Sequence, residues 1–142
     1  MQNEALEDVQ PGNAGSPGEL GGLGDTIDVT VVVPVRNEKQ SLAELIASLQ
    51  AQTSPPAEIV VVDGGSTDGT ISLAHRLAAG DDRLRVIEAG EATPGRGRNI
   101  GIAAARYEWI ALADAGNKLE PQWLGRLIEV VHRDPTVGFD LP

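Results

Sequence analysis

Cysteine is absent from the 142-residue chain, which excludes disulfides and thiolate metal sites. Aromatic residues are nearly absent: one Phe, one Tyr and two Trp. Trp109 and Trp123 are read as core or sheet-packing residues, not as a sugar-stacking platform. Basic residues are missing from the first 35 positions, since Arg36 is the first Lys or Arg. The formal net charge is -10, which argues against nucleic acid as a partner, because phosphate backbones need a basic face. No apolar run approaches the roughly 20 residues of a membrane-spanning helix; the longest lies near Val29 to Val35. The N-terminus lacks both the basic and the apolar segment of a secretory signal, so the expected compartment is the cytoplasm. There is no GxGxxG and no GxxxxGK[ST], so neither dinucleotide fingerprint nor P-loop is present. The stretch DGGSTDG, Asp63 to Gly69, has the look of a calcium loop. Gly65 and Thr67 replace two of its ligand carboxylates, and no Glu stands twelfth.

What is present changes period every ten to fifteen residues. Positions 1–26 hold Gly, Pro, Asn, Ser and Glu and too little apolar surface to offset the cost of ordering. They read as a disordered acidic tail. Asp28 to Val35, DVTVVVPV, is the near-continuous apolar run of a strand buried on both faces. Ser41 to Gln52 follows as a helix, with Ser41 and Glu44 as a capping box and Leu42, Leu45, Ile46 and Leu49 as its stripe. Glu58 to Asp63 is a second buried strand. Thr67 to Ala79 is a helix with Ile71, Ala74 and Ala78 on one face. Leu84 to Glu88 is a third strand, Arg98 to Ala105 a helix, Trp109 to Ala113 a fourth strand, and Pro121 to Val131 a helix. Val137-Gly138-Phe139 opens a further strand. The alternation predicts an α/β domain with a mainly parallel sheet and flanking helices.

Ligands of such sheets bind beyond the carboxyl ends of the strands. Four segments turn polar at those ends: Pro34-Val35-Arg36-Asn37-Glu38, Asp63 to Gly69, the loop from Gly90 to Asn99, and Asp114-Ala115-Gly116-Asn117. Asp63 ends a buried strand. It is either a carboxylate held at the ligand edge or the start of a capping turn, in which Ser66 or Thr67 caps the following helix. Gly64 and Gly65 allow close approach to the backbone. Five arginines (Arg83, Arg85, Arg96, Arg98 and Arg106) stand against Glu88 and Glu91. They are either solvated surface charges or a local site for an anion. His75 and His132 sit on helices without partner motifs and read as surface residues.

Together these segments resemble family 2 glycosyltransferases of the GT-A fold, in their N-terminal, nucleotide-binding half. PVRNE follows the first strand and VVDGGSTDGT ends the second. GRGRNIGIAAA precedes the fourth strand, and ALADAG then PQWL follow it. The resemblance runs from about Ile27 to Val131, within a domain of 27–142. It implies a Rossmann-like sheet, here ending after the fourth strand-helix unit, and transfer of a sugar from a nucleoside-diphosphate donor with inversion. It implies that Pro34, Val35, Arg36, Asn37 and Glu38 line the nucleotide pocket, with Gly64 and Gly65 beside them. It implies that Asp63 accepts a hydrogen bond from the base, and that Arg98 and Asn99 lie near the nucleotide. Arg96 and Arg98 would help neutralise the diphosphate.

The family's two aspartates around one residue bind ribose and a divalent cation, Mn2+ or Mg2+. Asp114 matches the first, as ribose or metal contact. Gly116 stands in the second place and offers no side chain. The resemblance puts the general base and the acceptor surface in a C-terminal half, so none is assigned here; Glu120 and Asp134, at helix ends, are poor candidates. Three readings follow: a glycosyltransferase with an unidentified acceptor, a nucleotide-sugar-binding fragment without catalysis of its own, and a nucleotidyltransferase. The last would want a Gly-rich loop after the first strand, which PVRNEKQS is not.

Overall fold

The computed structural model describes residues 27–136. The expected tail over 1–26 and the further strand at Val137 lie outside the described residues. Within them four strands alternate with four helices: β1 (Val29–Val35), α1 (Lys39–Gln50), β2 (Glu58–Asp63), α2 (Thr70–Ala79), β3 (Leu84–Glu88), α3 (Pro94–Ala104), β4 (Trp109–Leu112) and α4 (Trp123–Arg133). All neighbours pair in parallel, in the order β3-β2-β1-β4. The parallel α/β sheet read from the sequence is what forms.

The apolar run of β1 is explained by its two faces. Val29, Val31, Val33 and Val35 join Ile59 and Val61 in one core with Leu42, Leu45, Ile46 and Leu49 of α1, Ala74 of α2 and Leu124 and Val131 of α4. The opposite face presents Val32 and Val62 to α3. There the helix approaches through glycine: a Cβ on Gly101 would lie 2.4 Å from a Val32 methyl, and one on Gly97 3.3 Å from Pro34. Both values fall inside ordinary packing distance, so these two positions set how closely α3 lies on the sheet. Trp109 is buried with the first core, as expected, and Trp123 packs against it.

The strands β2 and β3 have the expected limits, whereas every helix start differs. Lys39, not Ser41, begins α1, with Glu38 at its N-cap. The expected box cannot form, and the Ser41 hydroxyl donates instead to Glu38 Oε1 (2.7 Å). At the start of α2, which is Thr70 and not Thr67, Gly69 holds a left-handed φ of 96°. Asp68 Oδ1 accepts the Thr70 amide there (3.0 Å), so neither Ser66 nor Thr67 is the cap. Four residues earlier than Arg98, Pro94 begins α3, and the Thr93 side chain accepts from Arg96 N (3.1 Å). Pro121 lies before α4, its carbonyl held by the Thr53 amide (2.9 Å).

Candidate functional site

The strand ends converge on a groove of about 480 Å3, within the size range of small-molecule sites. It runs from the end of β2, across the end of β1, to the segment after β4. Its wall comprises Pro34, Val35, Arg36 and Glu38, then Val62 and Gly64, then Ala92, Thr93, Pro94, Gly97 and Arg98, and finally Asp114, Ala115 and Gly116. Seven of the residues singled out from the sequence therefore line one cavity: Pro34, Val35, Arg36, Glu38, Gly64, Arg98 and Asp114.

The others lie around it. Asn37 takes a left-handed φ of 54°. Its amide donates to Ser66 Oγ (2.8 Å) and its Oδ1 accepts the Thr67 amide (2.7 Å). Glu38 N donates to Thr70 Oγ1 (3.0 Å), and Asp68 reaches the Lys39 amide (3.4 Å). The loops after β1 and β2 are thus stitched side chain to backbone. Asp68 is exposed, and its hydrogen bond from the Thr70 hydroxyl holds its carboxyl below the ordinary value. Gly65 (φ 101°) packs on Glu91, while Arg96 and Asn99 are exposed on α3 and do not reach the groove. Arg36 stands 3.9 Å from Glu91.

Asp63 is 1% exposed. Its Oδ2 accepts the amides of Gly65 and Ser66 (2.9 Å each), and its Oδ1 accepts the Ser66 hydroxyl (2.5 Å). Gly64 occupies the groove wall beside it, its N–H on Val35 O (2.8 Å). A Cβ on Gly64 would stand 2.6 Å from the Ala92 carbonyl oxygen, so only glycine fits between the two loops.

At the far end Arg98, carried by α3, faces Asp114 Oδ1 at 3.4 Å. A turn with Asn117 N on Asp114 O (3.0 Å) holds the aspartate, and a Cβ on Gly116 would meet open space. Among the described residues no three acidic or histidine side chains gather as a metal cluster. The donor set fits a hard cation only as one carboxylate, with the remaining oxygens coming from a phosphate ligand and water. The sequence marks the loop from Gly90 to Asn99 as a whole and does not separate Ala92, Thr93 and Gly97, which line the wall, from its other residues. Their signal was Thr93-Pro94, an N-cap followed by proline at the first helical position, which fixes where α3 points its first turn.

A parallel sheet with a groove across its strand ends, walled by a helix N-terminus and a basic side chain, defines an α/β domain suited to a phosphate-bearing ligand. The chain belongs to glycosyl transferase family 2, whose sequence model matches residues 30–141. The succinoglycan biosynthesis protein ExoO of Rhizobium meliloti is 41% identical over 103 residues, 72% of this chain and 29% of that protein. A mannosyltransferase from Pyrobaculum calidifontis, solved with GDP-Man and Mn2+, superposes with a TM-score of 0.70 at 31% identity, covering 78% of this chain and 33% of that one. TarS residues 1–349 of S. aureus, solved with UDP-GlcNAc, gives a TM-score of 0.67 at 26% identity, over 75% of this chain and 32% of that one. The chain spans about three tenths of the length of the curated relatives it matches. The fold of these neighbours is the GT-A fold. No helix among the described residues is long and apolar enough to cross a membrane.

Proposed function

We propose that the groove holds the nucleoside diphosphate of a nucleotide-sugar donor, and that the protein of which this groove is part transfers the sugar to an acceptor hydroxyl with inversion. The observation that carries this reading is the pairing of Arg98 with Asp114 at one end of a 480 Å3 groove whose wall also includes Pro94 at the start of α3. A diphosphate is the ligand such an end suits. Arg98 can donate two parallel hydrogen bonds to phosphate oxygens, and the helix N-terminus adds a partial positive charge. The donors named in the TarS and mannosyltransferase structures, UDP-GlcNAc and GDP-Man, support the ligand class.

In an inverting displacement the acceptor oxygen bonds to the anomeric carbon as the bond to the β-phosphate oxygen breaks. The diphosphate leaves with the electron pair, and the hydroxyl proton passes to a general base. Arg98 acts on the leaving side, where negative charge grows. Asp114 orients Arg98 through their ion pair and is free to contact ribose or a cation once a diphosphate takes the arginine. A divalent cation held by Asp114 would add positive charge to the leaving diphosphate. The Mn2+ of the neighbouring mannosyltransferase structure supports a cation of this kind.

A second reading, a nucleotide-sugar-binding unit without catalysis of its own, is favoured by the engagement of both groove carboxylates. Glu38 accepts from Ser41 and Asp114 pairs with Arg98. One titration tests the donor groove: UDP, GDP, dTDP and CDP added to the chain with and without Mn2+, read by calorimetry. Saturable binding of a nucleoside diphosphate, tightened by Mn2+ and weakened in Asp114→Asn, is expected. Absence of binding to a folded chain refutes the groove. Sugar transfer or donor hydrolysis by the same preparation separates the enzyme from the binding unit.

A further inference from the structure

We infer that Asp63 is a positioning residue that clamps the loop after β2, and that the nucleotide base is bound without a contact from its carboxylate. The inference rests on the donor groove proposed above. An ionised carboxylate offers about four acceptor sites. Three are taken: the Gly65 and Ser66 amides on Oδ2 and the Ser66 hydroxyl on Oδ1. With the residue 1% exposed, the remaining site faces protein. A base N–H cannot reach it without opening the turn.

The clamp has an evident purpose. Asp63 ends β2 opposite Val35 in the register with β1 and opposite Glu88 in the register with β3. Its own carbonyl accepts the Ala89 amide (2.9 Å). Gly64 then donates to Val35 O (2.8 Å) and accepts from Ala92 N (3.4 Å), which closes the groove wall between β1 and the 90–93 loop. The left-handed turn at Gly65 (φ 101°) needs its flanking amides held, and the Asp63 carboxylate holds them. What the ligand meets at this end of the groove is Gly64, with no side chain, and the apolar Val62, Pro34 and Ala92.

The alternative, a carboxylate that accepts the N3–H of uracil or thymine or the N1–H of guanine, makes a different set of numbers. Cytosine carries no N–H at that position. A charged hydrogen bond of this kind amounts to roughly 10–100-fold in affinity. Replacing it by asparagine would weaken UDP, dTDP and GDP by that factor and spare or improve CDP.

The experiment compares the wild-type chain, Asp63→Asn and Asp63→Ala by calorimetry with UDP, GDP and CDP, and by thermal melting without ligand. Asparagine keeps an oxygen for the two amides, and Ser66 Oγ can turn to accept from its NH2. The expected result is a common change in Kd for all three nucleotides in Asp63→Asn, within about 3-fold of one another, with melting close to wild type. Asp63→Ala should lower the melting temperature and weaken all three nucleotides together. A selective loss of UDP and GDP in Asp63→Asn, with CDP retained, overturns the inference. So does an Asp63→Ala protein that melts like wild type, whatever it binds. No nucleotide binding by the folded wild-type chain refutes the donor groove itself, and the melting comparison still decides the clamp.

Discussion

Replacing Glu58 by alanine should unfold this domain more readily than any surface change, although the residue lies at the end of the sheet away from the groove. Glu58 is 2% exposed at the first position of β2. Its Oε1 accepts the Thr30 hydroxyl and the Arg106 amide (2.8 Å each), and its Oε2 accepts Arg85 Nε (2.8 Å). One carboxylate therefore ties β1, β2, β3 and the turn before β4. Alanine would leave the fully buried Thr30 hydroxyl without its acceptor and Arg85 without its counter-charge. Removing one partner of a buried ion pair costs about 3–5 kcal/mol. Arg85 is 33% exposed and keeps a hydrogen bond to Ala104 O (2.6 Å), so the lower end, about 3 kcal/mol, applies. At about 4 °C per kcal/mol for a domain of this size, melting should fall by roughly 12 °C. Urea denaturation of Glu58→Ala, Arg85→Ala and the double variant measures this as a cycle. The double variant should cost less than the sum, because the Glu58–Arg85 contact is lost only once, although Arg106 Nε, 3.7 Å from Glu58 Oε2, keeps the carboxylate paired in Arg85→Ala. Additivity within about 0.5 kcal/mol, or a Glu58→Ala cost below about 1 kcal/mol, would refute the clasp.

Three further outcomes are expected. Gly101→Ala places a methyl 2.4 Å from Val32 and should cost about 1–3 kcal/mol in denaturant unfolding, as overpacking does; a neutral or stabilised variant would show that α3 can lift freely. Arg98→Ala should weaken UDP and GDP by roughly 10-fold or more in calorimetry, the value of a charge-assisted contact to phosphate, with melting unchanged; equal affinity would remove Arg98 from the site. Asp81 has its carboxyl lowered to about 2, first by the hydrogen bond from the Arg83 side chain and then by the Arg83 amide and Gln50. Its folded value lies below its unfolded one, so its stabilisation is present above about pH 4 and is lost as pH falls toward 2. Arg83→Ala should make stability less dependent on pH across that window, which chemical unfolding at stepped pH would report.

Much of the fold is legible in the sequence. Continuous valine runs gave β1 and β2 because strands buried on both faces leave no polar alternation, and β2 and β3 kept their expected limits. Helix starts could not be read the same way. They depend on which loop group takes which amide: Asp63 takes those of Gly65 and Ser66, and Asp68 those of Thr70 and Lys39, a division that composition does not encode. The start expected for α3, at Arg98, lies four residues late, because Thr93-Pro94 carries the start signal: an N-cap followed by proline at the first helical position. The groove followed from strand ends, which period alone locates. Which side chains face it did not, and so Arg96 and Asn99 fell outside while Ala92 and Gly97 came in.

The glycines of α3 have a consequence for motion. Gly95, Gly97 and Gly101 sit inside an eleven-residue helix, and each costs about 1 kcal/mol of helix stability relative to alanine. The helix that carries Arg98 is therefore weak by itself and is kept wound by its contact with Val32, Val62 and Pro34. Its amides should exchange with solvent faster than those of β1, opening locally without unfolding the sheet. A diphosphate bridging Arg98 and the first turn would then slow that exchange, so the site would be at its most rigid only while occupied.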